Sequence, residues 1–283
     1  AEVLQVRGRV PRVIVRTHHA ACDGQATLLF AQELFAALRG ETPGPARSGS
    51  PVDLDLLGGL DRCAETPPAA DCAAPVSGAA EPVQGVTWAR HRFEGRPSKL
   101  LPRIARGVAR QVGGACRVDV PVDLRRRRPL LRSSANLTGL LRLTVRPDAE
   151  VEEVEAALRA GIEAGAHADF VLAADRFRGL PLGLLAAVGA SASRRRLSGG
   201  LFETSATLSN LGLHDLASLS APGFEARRCF WIPPGSPGLP LFLTLSGDPG
   251  GVEMCGSMPA GLASRGRLRS LLAALAAELA SPS

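Results

Sequence analysis

The stretch Val13-Ile14-Val15-Arg16-Thr17-His18-His19-Ala20-Ala21-Cys22-Asp23-Gly24 constrains the chain more than any other. It opens as an apolar run of β-branched residues, which reads as a buried strand. It then passes through two histidines and three small residues to Asp-Gly. Beyond that point the period changes. Thr27, Leu28, Ala31, Leu34, Phe35 and Leu38 recur at three- and four-residue steps, and Gly40 supplies a stop, so a helix is expected from about Gln25 to Arg39. A strand that runs out into His-His just before a helix holds those side chains on rigid supports while leaving them able to reach a cleft.

Downstream, residues 98–112 carry an apolar stripe of Leu100, Leu101, Ile104, Val108 and Val112 ahead of Gly113-Gly114, the pattern of an amphipathic helix. Cys116 to Val122 alternates as a strand, and 138–146 reads as another. A helical stretch covers about 149–174 with Asp148 as its N-cap, and a second covers about 181–196. The last third reads as strands at about 204–211, 224–232, 239–246 and 251–256. Pro-Pro-Gly at 233–235 and Asp-Pro-Gly-Gly at 248–251 supply the later turns. A final helix is expected over about 262–279. The region from Glu41 to about Arg96 is rich in Pro, Ala, Gly and Ser, broken by an apolar patch from Val52 to Leu60, and reads as a long linker with some packed pieces. The mixture is α/β with a mixed or antiparallel sheet rather than regular βαβ alternation.

Composition excludes several alternatives. Hydrophobic residues are 45% of 283, enough for a sizeable core. No apolar run reaches the length of a membrane span, and the opening residues Ala1-Glu2-Val3 are not expected to act as a signal peptide. Lys99 is the only lysine against a net charge of +6, so the positive charge is almost all arginine, a residue suited to phosphate and carboxylate recognition. Tyrosine is absent and aromatics are 4%, which argues against a base-stacking nucleic-acid surface. Cys22, Cys63, Cys72, Cys116, Cys229 and Cys255 show no C-x-x-C or zinc spacing and read as free thiols of a cytoplasmic protein.

The motif His18-His19-x-x-x-Asp23-Gly24 resembles the HHxxxDG signature of the chloramphenicol acetyltransferase-like superfamily. That group takes in the condensation domains of nonribosomal peptide synthetases, polyketide-associated acyltransferases and wax ester synthases. Two later stretches extend the resemblance. Val120-Pro121-Val122-Asp123-Leu124-Arg125 is similar to the superfamily's VPV-(N/D)-x-R segment, and Ser209-Asn210-Leu211-Gly212 to its SNLG-like segment. Asn136 matches a Gly-Asn segment in which Ala135 replaces the glycine.

The resemblance implies a two-lobe fold with mixed, largely antiparallel sheets, divided as follows. Residues 1–40 form the end of the N-terminal lobe, 41–97 a crossover, and 98–283 the C-terminal lobe. It implies transfer of an acyl group from a thioester donor, acyl-CoA or an acyl-carrier protein, to an alcohol or amine. His19 would act as general base in a ternary complex, with no acyl-enzyme, no metal and no bound cofactor. His18, opposite His19 by strand alternation, is expected to support the site. Asp23 is expected to pair with Arg125 rather than with His19, and Gly24 to relieve crowding as the turn enters the helix. Ser209 or Asn210 would donate to the oxyanion or the acceptor, and Cys22 would pack. The arginine runs 125–128 and 194–196 would meet coenzyme A or phosphopantetheine phosphates or form solvated faces. Two other readings remain open: a condensation domain with carrier-bound substrates on both sides, and a non-catalytic subunit with an incomplete site. Superfamily members carry a first-lobe segment ahead of the motif. The chain is therefore expected to be poorly behaved or inactive alone, and restored by that half-lobe supplied fused or in trans.

Overall fold

The computed structural model describes residues 1–8, 10–42, 53–58, 68–128, 131–177 and 179–280. Parts of the region read as linker, its apolar patch and Cys63 lie outside them. The chain divides into two compact units. The first comprises Ala1–Gly59, Asp123–Gly139 and His214–Cys229; the second comprises Leu60–Val122, Leu140–Leu213 and Phe230–Ser283.

In the first unit, β1 (Glu2–Val6) and β2 (Arg12–Arg16) form an antiparallel pair with Glu2 opposite Arg16 and Val6 opposite Arg12. The expected buried strand is not buried. β1 is exposed along its length, and β2 alternates between exposed and half-buried. A two-stranded ribbon has two faces to cover, and in this one Leu4 and Ile14 remain 41% and 40% exposed. The helix α1 (Gly24–Leu38) follows, with Ala26, Thr27 and Phe35 buried. Phe35 stacks on Phe224 at 5.5 Å between ring centroids, and α1 ends before Gly40, whose φ of 78° only glycine adopts readily. A short helix α2 (Asp53–Leu56) and a 3₁₀ turn at Leu124–Arg127 complete the regular structure needed for the site.

The second unit is built on one six-stranded sheet. In chain order it contains β3 (Cys72–Ala73), β4 (Val86–Glu94), α3 (Leu100–Val112), β5 (Cys116–Asp123), β6 (Thr138–Val145), α4 (Val151–Glu163), α5 (Ala168–Asp175) and α6 (Leu182–Gly199). Then come β7 (Leu201–Phe202), β8 (Ala206–Leu213), β9 (Phe242–Asp248), β10 (Gly251–Pro259), α7 (Ala260–Ala263) and α8 (Arg267–Ala280). The large sheet runs β4-β10-β9-β8-β5-β6, and β3 pairs with β7 separately. It is mixed: β4, β10 and β9 are antiparallel, whereas β9, β8 and β5 are parallel.

Alternation gives this sheet two unlike faces. Val118, Val120, Leu141, Leu143, Leu208, Leu243, Leu245, Met254 and Met258 pack with α3 and α8 into one core, each full burial contributing about 1.5–3 kcal/mol. α3 and α8 approach closely at Gly107, where a Cβ would lie 2.9 Å from Leu275. The residues between them in sequence, Asp119, Thr207, Thr244, Ser246, Glu253 and Ser257, are also buried. They give the opposite face a polar lining.

Several sequence expectations need correction. The region 41–97 is not a linker throughout, because 86–94 is the edge strand β4, paired along its length with β10. Residues 224–232 form no strand beyond an isolated bridge between Ala221 and Phe224. From Phe230 onward the chain is tied to the sheet by side chains instead: Thr244 Oγ1 donates to the Trp231 carbonyl at 2.6 Å and Ser257 Oγ to that of Pro234 at 3.1 Å. Pro233 and Pro234 have no N–H to offer a ladder. The helical stretch 149–174 is two helices, parted at Gly165 with φ 72°. Its N-cap is Glu150, while Asp148 pairs with Arg146. The final helix is likewise broken, by Arg265 at φ 57°.

Candidate active site

The two histidines lie beyond the end of β2, in a turn rather than in the strand. The alternation that would set them on opposite sides therefore does not apply. The turn closes on the His18 carbonyl, which accepts from Ala21 N–H at 2.9 Å and Cys22 N–H at 3.0 Å. Both side chains are exposed, and each ring makes one contact of opposite sense. His19 Nδ1 lies 3.3 Å from the Cys22 carbonyl oxygen. A carbonyl only accepts, so in the neutral ring the proton sits on Nδ1 and Nε2 carries the free lone pair. His18 Nδ1 accepts from the Ala20 N–H at 3.3 Å, so its proton sits on Nε2. One ring thus keeps a basic nitrogen free and the other spends the corresponding lone pair on the turn.

Asp23 is 5% exposed and saturated with donors. Its Oδ1 caps α1 by accepting from Ala26 N–H at 2.8 Å. Arg125 meets it side-on, Nη1 to Oδ2 at 2.9 Å and Nη2 to Oδ1 at 3.1 Å, the bidentate geometry that makes guanidinium pairs strong and directional. Leu137 N–H at 2.8 Å and Thr138 Oγ1 at 3.2 Å complete the shell on Oδ2. Arg125 is itself fixed by Asp123 Oδ1 at 2.9 Å and by the carbonyls of Ser133 and Ala135 at 3.1 and 2.5 Å. Gly24 is the first residue of α1. Thr27 Oγ1 donates to the Asp23 carbonyl at 2.9 Å and contacts Thr17 Oγ1 at 2.7 Å, tying the end of β2 to the helix.

Asn136 is the partner that sequence reasoning undervalued. Its Nδ2 donates to the His19 carbonyl at 2.9 Å across 117 residues of sequence. The only available signal was the imperfect Gly-Asn match, since a contact over that separation leaves no periodicity.

Ser209 and Asn210 belong to β8 in the second unit, and alternation sends them to opposite faces. Ser209 lies opposite Thr244, Thr244 opposite Cys255 and Cys255 opposite Arg90, a row crossing four strands on the polar face. Asn210 Oδ1 accepts from Gly212 N–H at 3.1 Å where the β8–β9 register shifts. Burial pushes the Cys255 thiol up to about 12 and that of Cys116 to about 11, which disqualifies both as neutral-pH nucleophiles. Arg128 donates to the Asp55 carbonyl at 3.2 Å and Arg196 pairs with Glu203, so these two members of the arginine runs already have partners.

Among the described residues no three His, Cys, Asp or Glu side chains converge as a metal site, and no helix is long and apolar enough to cross a membrane. A broad concavity of about 1050 Å³ is lined by Arg39, Glu41, Leu216, Ser220, Phe224 and their neighbours. It includes neither histidine.

No family model and no curated protein matches the chain. Solved structures do. The starter condensation domain of rhizomide synthetase aligns with a TM-score of 0.55 at 17% identity, over 93% of this chain and 63% of that one. The fold is that of a condensation domain. The epimerization domain from the third module of tyrocidine synthetase B gives 0.54 at 12% identity, over 93% of this chain and 67% of that one. The structure describing condensation domain-mediated chain release from the enacyloxin polyketide synthase gives 0.52 at 18%, over 93% and 56%. The chain thus spans 56–67% of these condensation-fold relatives.

Proposed function

We propose that the chain provides the His-bearing part of a condensation-type acyltransferase. It would move an acyl group from a phosphopantetheine thioester, borne by coenzyme A or a carrier protein, to an amine or alcohol. The observation that carries this reading is the His19 ring. Its Nδ1 is held at the Cys22 carbonyl and its exposed Nε2 is left with a free lone pair. His19 Nε2 takes the proton of the acceptor N–H or O–H as that atom attacks the thioester carbonyl. The resulting tetrahedral oxyanion collapses with cleavage of the C–S bond, and the imidazolium returns the proton to the departing thiolate. In this reading Asp23 with Arg125 holds the turn without touching the reacting atoms. The condensation fold favours a carrier-borne donor, and a soluble, cytoplasmic setting fits that chemistry.

The test is a panel of acyl thioesters, on coenzyme A and on carrier protein, with a mixed amine and alcohol pool and product detection by mass. The same assay is run with a first-lobe segment of the condensation fold supplied in trans. Transfer should appear and fall about 10²–10⁴-fold in His19→Ala. Transfer that survives His19→Ala within a few-fold overturns the assignment of the base. No transfer under any combination favours a non-catalytic role.

A further inference from the structure

Three consecutive residues clamp the histidine turn. Asn136 donates from its side chain to the His19 carbonyl, Leu137 from its backbone to Asp23 Oδ2, and Thr138 from its hydroxyl to the same oxygen. The clamp is anchored beneath, because Leu124 N–H donates to the Leu137 carbonyl at 3.0 Å and both leucines are fully buried. Its two ends do different things. The Asp23 end is over-determined, since Arg125 and the helix cap hold the same carboxylate. The His19 end is not. The turn's own hydrogen bonds fall on the His18 carbonyl, and among the described residues the His19 carbonyl accepts only from Asn136.

We propose that Asn136 is a positioning residue for His19: it fixes the His19 peptide, and through it holds the ring with Nδ1 on the Cys22 carbonyl and Nε2 free. This rests on His19 being the base. The ring contact is long, 3.3 Å, and exposed, so it survives only while the backbone beneath it stays in place. Without the Asn136 amide the 19–20 peptide keeps only the exposed 3.3 Å bond from Ala20 N–H to His18 Nδ1, and the ring gives up the contact that selects its tautomer. Asn136 touches no reacting atom, and its effect is on the fraction of molecules whose base is presented in the reactive form.

The experiment reads the His19 ring directly, by long-range ¹H–¹⁵N correlation on labelled protein, in the parent, in Asn136→Ala and in Asn136→Asp. The aspartate variant keeps the shape and loses the donor, and carries the measurement should the alanine variant fail to fold. The parent ring is expected in the Nδ1–H form, and both variants should move toward Nε2–H. In the transfer assay kcat should fall about 10–100-fold with KM within about twofold, while the melting midpoint stays near the parent's. A His19 ring that keeps its Nδ1–H form in the variants overturns the proposal, whatever the assay shows. A ring that shifts with no change in kcat instead overturns His19 as the base, so the two failures are told apart.

Discussion

Asp23 presents both carboxylate oxygens to Arg125, at 2.9 and 3.1 Å, across 102 residues of sequence. With Oδ1 also capping α1 and Oδ2 also accepting from Leu137 and Thr138, the carboxylate has no capacity left to orient an imidazole. Its work is to join the end of the histidine turn to the 3₁₀ turn at Leu124–Arg127.

The pair is buried, so breaking it from either side leaves an uncompensated charge. Asp23→Ala and Arg125→Ala should each cost about 3–5 kcal/mol in urea unfolding. Asp23→Ala sits at the upper end because it also loses the cap. The double variant should cost less than the sum by about 0.5–3 kcal/mol. Additive losses would show that the two side chains are not coupled in solution.

The opposite tautomers of the two histidines make a second prediction. His18 serves the turn through an acceptor at Nδ1, a function that an asparagine Oδ1 can imitate. His18→Asn should therefore unfold close to the parent, and His18→Ala should lose about 0.5–1.5 kcal/mol. His19→Asn should retain the fold and lose transfer, since an amide has no basic nitrogen. A His18→Asn variant as unstable as His18→Ala would refute the acceptor role.

Much of this architecture was legible, and where it was not the reasons are physical. The change of period between Val15 and Thr27 marked both supports of the histidines. The alternation around Val118 and the stripe along Ile104 and Val108 marked the core. β4 does not stand out in sequence because Pro, Gly and Ala on both sides mask an alternation that shows only with Arg90 and Arg92 opposite Cys255 and Glu253. Phe230, Trp231 and Ile232 favour pleated structure, so the segment 224–232 reads as a strand in sequence. The anchoring of the Trp231 and Pro234 carbonyls to Thr244 and Ser257 has no local signature. The Asp23–Arg125 pairing came through the motif resemblance, and Asn136 to His19 lay beyond any local rule.

The polar face of the large sheet holds a charge cluster whose pH behaviour can be forecast. Arg92 meets Asp248 in two bonds of 2.9 Å and Glu253 at 3.4 Å, with both carboxylates about 2% exposed. The hydrogen bonds from Arg92 hold the Asp248 carboxyl below its ordinary range. A folded-state pKa below the unfolded value, about 3.9, means stability that is present above that value. It is lost as pH falls through the folded one. Arg92→Met leaves Asp248 buried without its guanidinium, keeping the Gly250 N–H at 2.8 Å, while Arg90 lies 4.0 Å from Glu253. The buried Asp248 carboxyl, no longer held down by the guanidinium, then rises above its unfolded value, and stability is lost as pH rises. Urea unfolding from acidic to neutral pH should show the parent gaining stability with pH and the variant losing it. The cost at neutrality should be about 3–5 kcal/mol. Parallel pH curves for the two proteins would rule out the coupling.

The β1–β2 ribbon carries the last prediction. Leu4 and Ile14 are directly opposite one another, and Val3 and Val6 are each more than 40% exposed. Exposed strands with apolar cross-strand pairs offer both a hydrophobic surface and unpaired backbone groups to another chain. The purified chain should therefore self-associate as its concentration rises. Replacing Leu4 and Ile14 together by threonine puts strand-favouring β-branched residues at both positions and removes the apolar pair. It should raise the monomer fraction in sedimentation velocity while changing unfolding stability by no more than about 0.5 kcal/mol. A parent that stays monomeric at high concentration, or a double variant that associates as strongly as the parent, would show that this ribbon does not drive association.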